Sequence, residues 1–276
     1  CGPVNPTPCS MPTTALPAQT LPAQTLHAPT HWSAVECIAD LHLQASEPAT
    51  LAAWQRYLKS SPASAVVILG DLFESWVGDD ALQEAGSFEA QCAATLHAAS
   101  QQRPIYFMVG NRDFLAGTAF LRASGMQGLA DPTLLVWGPQ RILLSHGDAL
   151  CLDDHEYQQF RAISRQPAWQ QQLLARPLAE RRALAQHLRS ESEQRKQSGM
   201  EYADADPALT DQWLTHTQAH TLIHGHTHRP ADHALPAGRT RVVLSDWHCD
   251  GPAPRAEVLR ISPDGQWQRL PLADAF

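Results

Sequence analysis

The chain has 276 residues, of which 43% are hydrophobic and 17% are charged, and its formal net charge is −8. No apolar run reaches the ~20 residues that a membrane-spanning helix needs, and the acidic balance argues against a general nucleic-acid binder, which would present a basic surface. The six cysteines form no Cys-x-x-Cys pair, which is typical of a protein kept in a reducing compartment.

The first 31 residues are rich in Pro, Thr, Ala and Gln, and Leu-Pro-Ala-Gln-Thr at residues 16–20 is repeated at residues 21–25. Such a segment cannot bury enough apolar surface to offset the entropy that it would lose on ordering. It also lacks the basic start and continuous apolar core of a secretory signal. We therefore expect a disordered tail over residues 1–31, followed by one folded domain over residues 32–276.

Short apolar runs in the first half of the chain predict buried strands at residues 34–39, 65–69 and 105–109. Between them, helical spacing predicts one helix from about residue 48 and a second helix, capped by Ser87, that runs to about Ser100. Gly138 and Pro139 separate two further apolar runs, which predicts a hairpin formed by residues 133–137 and 141–144.

The second half begins with a long stretch of helical periodicity over residues 155–198. Asp206 and Pro207 then supply a cap and a first-turn proline for a helix that runs to about Gln218. A short strand over residues 221–223 follows. The chain is expected to close as β-structure at residues 241–244, 256–261 and 266–270.

Candidate metal ligands follow these predicted strands at five strand-to-loop junctions. A turn just beyond a strand allows both members of an x-spaced pair to point the same way, so Asp-x-His and His-x-His can each hold one ion. Carboxylate, imidazole and amide oxygen together suit Mn²⁺, Fe²⁺ or Zn²⁺ better than Ca²⁺. The candidates are Asp40 with His42, Asp71, Asn111, His146, and His226 with His228.

In this order, the five motifs resemble those of the calcineurin-like metallophosphoesterases. The runs at residues 70–76, 110–114, 145–148 and 224–230 more narrowly resemble the UDP-2,3-diacylglucosamine diphosphatases of lipid A biosynthesis. The resemblance covers roughly residues 34–250. It implies an α/β sandwich of two mixed β-sheets flanked by helices, with a helical lid inserted at about residues 155–200.

The resemblance also implies two bound metal ions, taken to be Mn²⁺, with Fe²⁺ or another divalent ion as the alternative. One ion would be held by Asp40, His42, Asp71 and His228. The other would be held by Asp71, Asn111, His146 and His226, so that Asp71 bridges the pair. His224 matches no ligand position of the family and is expected to have a structural role.

The expected catalytic residues are Asp71, Asn111 and Arg112. A water shared by two divalent ions loses a proton near neutral pH and can attack phosphorus in line, while Arg112 offsets charge on the phosphoryl oxygens. Many members of the superfamily carry histidine where this chain has Arg112. Because arginine cannot donate a proton at working pH, this difference favours a diphosphate substrate, whose leaving phosphate needs no proton.

The predicted lid is basic, since residues 157–198 contain eight Lys or Arg but only three Glu. A solvated helical hairpin would explain this composition. A basic and apolar lid beside a phosphoesterase site would also hold sugar phosphates and acyl chains and would rest on an anionic membrane surface. The resemblance implies substrate contacts from Asn111, Arg112, Asp154, Ser192, Lys196 and His226. Trp76, just past Asp71, is a further candidate for substrate binding, and a structural role for this aromatic residue is equally compatible with the sequence.

The leading hypothesis is therefore an enzyme that hydrolyses UDP-2,3-diacylglucosamine to 2,3-diacylglucosamine 1-phosphate and UMP, in the cytoplasm and peripheral to the inner membrane. Its partners would be the acylated UDP-sugar and the membrane surface, without nucleic acid. One alternative is a metallophosphoesterase that acts on a soluble nucleotide, such as a dinucleoside polyphosphate or a cyclic nucleotide. Another is a metal-free binding module, which would be expected to have degenerate ligand positions.

Overall fold

The structure is a computed structural model that describes residues 21, 24–197 and 203–275. Within these residues the strands are β1 Gln24–His27, β2 Val35–Ile38, β3 Ala65–Leu69, β4 Ile105–Met108, β5 Gln127–Leu129, β6 Thr133–Trp137, β7 Gln140–Ser145, β8 Thr221–His224, β9 Ala231–Leu235, β10 Arg239–Val243, β11 Glu257–Ile261 and β12 Trp267–Pro271. The helices are α1 Pro48–Ser60, α2 Phe88–Ser100, α3 Thr118–Ser124, α4 His155–Ser164, α5 Pro167–Leu174, α6 Leu178–Gln197 and α7 Pro207–Thr217.

The first sheet has the strand order β12–β11–β2–β3–β4–β5. Strands β2 to β5 run parallel, whereas β11 is antiparallel to both of its neighbours. Because parallel strands end at the same edge of a sheet, the loops after β2, β3 and β4 lie side by side. These loops contain Asp40, Asp71 and Asn111, respectively.

The second sheet has the order β1–β6–β7–β8–β10–β9. Its central strands β7 and β8 are parallel, and Ser145 is paired with His224 at their ends. His146 and the loop that contains His226 and His228 therefore leave the sheet at one edge. Both sheets combine parallel and antiparallel neighbours, which confirms the predicted fold of two mixed sheets.

Apolar residues that alternate along the strands form a core between the two sheets. Val67 and Leu69 of β3 face this core from one sheet, and Leu144 of β7 and Ile223 of β8 face it from the other. The opposite face of the first sheet packs against α1, α2 and α3, and that of the second sheet packs against α7. Helices thus flank the sandwich on both sides. Among the described residues, no helix combines the length and apolar character required to cross a bilayer.

The predicted disordered tail extends too far, because β1 begins at Gln24. This strand pairs in parallel with β6 over four residues, and the side chain of Gln24 accepts a hydrogen bond from the backbone N–H of Ala130 at 2.9 Å. Leu26 packs against the core between the sheets. The prediction of disorder is therefore wrong for the end of this segment, whereas residues 1–20 lie outside the described residues.

Residues 155–197, called the helical insertion below, form α4, α5 and α6, as their periodicity predicts. Asp154 caps α4 by accepting a hydrogen bond from the backbone N–H of Tyr157, and Pro167 occupies the first turn of α5. Besides β1, three short elements are absent from the sequence prediction, namely α3, β5 and β9. They have seven, three and five residues, respectively, so periodicity gives little signal for them.

A buried carboxylate at Glu36 fastens β2, the strand that precedes Asp40. Glu36 is fully buried and receives hydrogen bonds from Arg260 of β11 at 2.6 and 2.8 Å and from the hydroxyls of Tyr57 and Ser61 at 2.9 and 2.6 Å. Charge and hydrogen-bonding capacity are thus matched in the interior, as a buried carboxylate requires.

We expect Arg260→Leu to lower the free energy of unfolding by about 3–5 kcal/mol, because it leaves the carboxylate of Glu36 buried without its countercharge. The matched control is Arg269→Leu on the adjacent strand β12, where Arg269 pairs with the exposed Asp232. That change should cost less than about 1 kcal/mol. Urea unfolding followed by circular dichroism measures both, and equal losses would contradict the role of Glu36.

Candidate metal centre

The loops that bear the predicted ligands have an unusual backbone conformation. Asp40, His42, Asp71, His226 and His228 have φ angles of 55°, 48°, 51°, 69° and 53°. Few residues other than glycine adopt this left-handed conformation, and clusters of them are typical of functional sites, where surrounding structure holds the strain. In each loop this conformation reverses the backbone just after the strand, so that the side chains of the three loops point towards a common centre.

Asp40, His42 and His228 form the first group of converging side chains, with one ligand atom from each lying within 4.8 Å of the others. The Nε2 atoms of His42 and His228 are 3.2 Å apart, and Nε2 of His228 is 3.5 Å from Oδ1 of Asp40. That oxygen is buried and has no hydrogen-bond partner among the described residues. A buried carboxylate oxygen without a donor is favourable beside a cation and costly without one.

The second group lies next to the first and contains Asp71, Asn111, His146 and His226. Oδ1 of Asn111 is 2.9 Å from Nε2 of His146 and 2.8 Å from Nδ1 of His226. Oδ1 of Asp71 is 3.6 Å from Nε2 of His146. Asp71 and His146 also lie within 4.8 Å of Asp40, so the two groups are continuous.

All seven predicted ligands are therefore brought together by the fold. The set supplies carboxylate and amide oxygens with imidazole nitrogens, which fits borderline divalent ions, and the orphaned oxygen of Asp40 is the observation that favours a cation there. The division of the seven between two ions stays a prediction.

Neighbouring groups orient the imidazoles so that one nitrogen faces the centre. Nδ1 of His146 donates to the carbonyl oxygen of Leu69 at 2.9 Å, which leaves its Nε2 lone pair for a ligand. Nδ1 of His42 lies 3.1 Å from the carboxylate of Glu74, an ion-pair contact that lacks hydrogen-bond alignment in the described residues. A carboxylate or carbonyl behind the imidazole is the usual way in which a protein fixes the tautomer and direction of a metal-binding histidine.

The protonation states follow from the same contacts. Burial disfavours the ionised form of Asp40, but the imidazoles of His228, His146 and His42 hold its pKa well below the ordinary range. Burial also disfavours the charged form of His146, yet Asp71, with other carboxylates, raises its pKa to about 9. The carboxylates thus attract positive charge, which divalent cations would supply by displacing protons.

Glycine is required where the loops approach each other most closely. A Cβ atom at Gly110 would collide with the carboxylate of Asp71, and one at Gly225 would collide with the carboxylate of Asp40. Both glycines precede a predicted ligand, Asn111 and His226. The Gly-Asn and Gly-His pairs in the sequence therefore reflect the space needed for neighbouring carboxylates.

Asp113 is a supporting residue that the sequence reasoning missed. It is fully buried, and its carboxylate accepts hydrogen bonds from the backbone N–H groups of Gly110 at 2.7 Å, Leu72 at 2.8 Å and Asp71 at 3.3 Å. It thereby joins the loop after β3 to the loop after β4. The sequence signal for this role was its position directly after Asn111, a predicted ligand, and Arg112.

Asp148 is a second missed residue, located two positions after His146. This buried carboxylate accepts hydrogen bonds from Nε of Arg161 at 2.9 Å and from the hydroxyl of Tyr157, both on α4. The Tyr157 ring lies 5.8 Å from the ring of His226. Asp148 therefore fastens the helical insertion beside the second group of ligands.

The predicted substrate contacts have mixed outcomes. Arg112 lies beside the centre, with its guanidinium 3.7 Å from Glu74 and its backbone N–H donating to Asp71 at 2.8 Å. Asp154 is half-buried at the start of α4, and its contact with substrate stays a prediction. Ser192 and Lys196 belong to the last turns of α6, but their side chains lie outside the described residues.

Trp76 does not line the site, and its predicted role in substrate binding is wrong. Only 2% of its surface is exposed, and its ring lies 4.7 Å from that of Phe73 and 4.3 Å from that of Phe120. Its indole N–H donates to Asp79 at 3.0 Å. The apolar loop after Asp71 folds back into the core, so the aromatic ring is part of the packing beneath the site.

Most of the basic side chains that the structure describes in the helical insertion are paired with acidic residues of the sandwich. Arg161 and Arg165 contact Asp148, Arg181 contacts Asp80, Arg182 contacts Glu84 and Glu89, and Arg189 contacts Glu74. These five arginines attach the insertion to the domain. Because these arginines are paired, they do not form the free basic surface for phosphates and membranes that the composition of the insertion suggests.

Comparison with known proteins agrees with this geometry. The family model described as calcineurin-like phosphoesterase matches residues 35–230. A UDP-2,3-diacylglucosamine hydrolase of Chromobacterium violaceum is 49% identical over 250 residues, which cover 87% of this chain and all of that protein. Hydrolases of the same name from Bordetella pertussis and Stenotrophomonas maltophilia are each 43% identical, cover 82% and 83% of this chain, and are themselves 91% and 94% covered.

We expect Asp113→Ala to lower the free energy of unfolding by about 3 kcal/mol or more and to weaken Mn²⁺ binding, because it leaves buried backbone N–H groups unpaired beside the ligands. Asp79→Ala is the matched control. The carboxylate of Asp79 also accepts hydrogen bonds from two backbone N–H groups, those of Gly117 and Phe120, and it accepts a third from the indole N–H of Trp76. The control should reduce stability without changing the Mn²⁺ affinity measured by calorimetric titration. A similar loss of affinity in both variants would show that Asp113 acts only on overall stability.

Proposed function

This chain belongs to the calcineurin-like phosphoesterase family, and from that premise we propose that it hydrolyses the diphosphate bond of UDP-2,3-diacylglucosamine. The products would be 2,3-diacylglucosamine 1-phosphate and UMP, and the reaction would serve lipid A biosynthesis. The single observation that supports this most strongly is the joint presence of the convergent ligand centre and of relatives with that activity in their names at up to 49% identity over most of the chain.

We propose that the seven ligands hold two Mn²⁺ ions, with Asp40, His42 and His228 at the first and Asn111, His146 and His226 at the second. Asp71 would serve both. When bound, such a pair supplies Lewis acidity and an activated water. The described contacts support this division, since the two imidazoles of the first group converge on each other and those of the second converge on Asn111.

Arg112 would bind the phosphoryl oxygens. Its guanidinium lies at the edge of the centre, 3.7 Å from the carboxylate of Glu74. This contact is short enough to orient the guanidinium and long enough for a substrate oxygen to replace it. Because arginine remains protonated at working pH, it can stabilise developing charge but cannot protonate a leaving group. Whichever phosphorus is attacked, the phosphate that leaves a cleaved diphosphate is weakly basic and needs no proton, which favours a diphosphate over an alkyl monoester.

We propose that the helical insertion is a lid that receives the acyl chains. Trp169, Leu173 and Leu184 surround a small pocket of about 90 Å³ together with Gln172 and Arg176. Large apolar side chains are also exposed on the insertion, namely Ile163, Leu174 and Leu188, which are 50%, 40% and 41% exposed. A soluble nucleotide would gain nothing from this apolar surface, so these residues favour the acylated substrate.

The same exposed side chains support a peripheral position on the cytoplasmic face of the inner membrane, where an acylated sugar resides. Since five arginines of the insertion are paired, apolar contact would contribute more to such binding than attraction to anionic lipids. Asp154, Ser192, Lys196 and His226 would contact the sugar headgroup. The alternative of a metal-free binding module predicts degenerate ligand positions, and all seven are present here.

With Mn²⁺, the purified protein should release UMP from UDP-2,3-diacylglucosamine, and Asp71→Ala should lower kcat/KM by at least about a hundredfold, or roughly 2.7 kcal/mol. The carboxylate lost in this variant is the one shared by both groups of ligands. Asp264→Ala, in an exposed turn, is the control and should retain full activity. Hydrolysis of other diphosphates without release of UMP from this substrate would contradict the proposed specificity.

Trp169→Ala should raise the KM for the acylated substrate by about tenfold and leave the KM for UDP-glucosamine unchanged, because only the former has chains to place in the lid. Trp267→Ala on β12 is the control for loss of a partly exposed tryptophan. Thermal melting would show that both variants remain folded. An equal rise of KM for both substrates would exclude the lid pocket as an acyl site.

A further inference from the structure

Glu74 lies where the metal centre, the substrate-binding arginine and the helical insertion meet. It follows Asp71 by three residues in the loop after β3, and its side chain is only 13% exposed. One carboxylate oxygen, Oε2, lies 3.1 Å from Nδ1 of His42. The other, Oε1, lies 3.1 Å from Nε of Arg189 and 3.7 Å from Arg112. One carboxylate thus contacts donors from three separate parts of the chain.

Arg189 is the contact that the helical insertion makes with this group. It projects from α6, and its guanidinium also donates to Oε1 of Gln44 at 2.9 Å. Gln44 lies two residues beyond His42, so Arg189 touches both loops that bear ligands of the first group, the loop after β2 and the loop after β3. The position of α6 and the positions of these loops are therefore linked through one guanidinium.

The distances distinguish the partners of Glu74. His42 and Arg189 each lie 3.1 Å from the carboxylate, whereas Arg112 is 0.6 Å farther away than Arg189. If substrate phosphate draws Arg112 away, Arg189 remains to balance the charge of Glu74 and to hold the carboxylate against His42. Arg189 and Arg112 thus have different uses although they face the same oxygen.

We propose that Glu74 is a positioning residue that couples the helical insertion to the first metal ion. Arg189 fixes the carboxylate of Glu74, and that carboxylate fixes the imidazole of His42 with Nε2 directed towards Asp40 and His228. Docking of the insertion therefore sets the affinity of the first ion, although no residue of the insertion reaches a ligand of that ion in the described contacts. The inference rests on the proposed dimetal function and adds a link between lid and metal.

The experiment is calorimetric titration of the full chain with Mn²⁺, using wild-type protein, Glu74→Gln, Arg189→Gln and the double variant. Glu74→Gln should weaken one of the two sites by about 10–100-fold, as loss of a carboxylate behind a ligating imidazole does. Arg189→Gln should weaken the same site by about threefold or more. The double variant should bind no more weakly than Glu74→Gln, because the effect of Arg189 passes through Glu74.

Two matched controls accompany these variants. Glu47→Gln changes a carboxylate that lines the same pocket as Glu74 and contacts Gln44 and His248 but, among the described residues, no predicted ligand. Arg182→Gln removes a different ion pair between α6 and the sandwich. Both should keep Mn²⁺ affinity within about twofold of wild type. Should Arg182→Gln weaken binding as much as Arg189→Gln does, general loosening of the insertion would replace the proposed route through Glu74.

An unchanged affinity in Arg189→Gln would overturn the proposal, as would additive losses in the double variant. If Glu74→Gln fails to fold, Arg189→Gln alone still decides, because it alters no residue next to a ligand in sequence. Failure of the proposed function gives a different result, since wild-type protein would then bind no pair of Mn²⁺ ions or would release no UMP. Two sites and normal turnover without coupling would refute only the link.

Discussion

The rest of the structure depends on the need to balance buried negative charge at the edge of the sandwich. Asp40 and Asp71 are both buried, and one oxygen of Asp40 has no hydrogen-bond donor in the described part of the chain. Isolated carboxylates are too costly to bury, so the surroundings must supply positive charge. Imidazoles from three loops supply part of it, and their nitrogen atoms are arranged as ligands. Because the buried carboxylates are costly without positive charge nearby, they favour the binding of a cation.

This arrangement stores strain in the backbone and depends on neighbouring residues to hold it. Five of the seven ligands have left-handed φ angles, which cost energy for residues other than glycine. Asp113 binds the backbone of two of the loops, and Gly110 and Gly225 allow the carboxylates to approach. The arrangement of the ligands therefore depends on residues that are not predicted ligands themselves. The helical insertion adds to this support through Asp148 on one side and Glu74 on the other.

Sequence reasoning located the ligands because each stands just after a short apolar run, and parallel strands must end at a common edge. It also recovered the long helices, whose periodicity and caps, such as Ser87, are strong local signals. It failed where the outcome depends on distant partners. Nothing in the local sequence pairs Arg181 with Asp80, which is 101 residues away, or places Trp76 against Phe120. Composition predicted a disordered tail at Gln24–His27, but these residues form a strand because they pair with the edge of β6.

That short strand has a consequence for the integrity of the sandwich. β1 occupies the outer position of its sheet and covers the edge of β6, an apolar strand of the sequence Thr-Leu-Leu-Val-Trp. Removal of the first 31 residues would uncover a row of unpaired backbone groups on a strand rich in leucine and valine, which is a template for intermolecular β-pairing. The four residues Gln24–His27 thus cover the edge of a longer and more apolar strand, and we expect their loss to promote self-association.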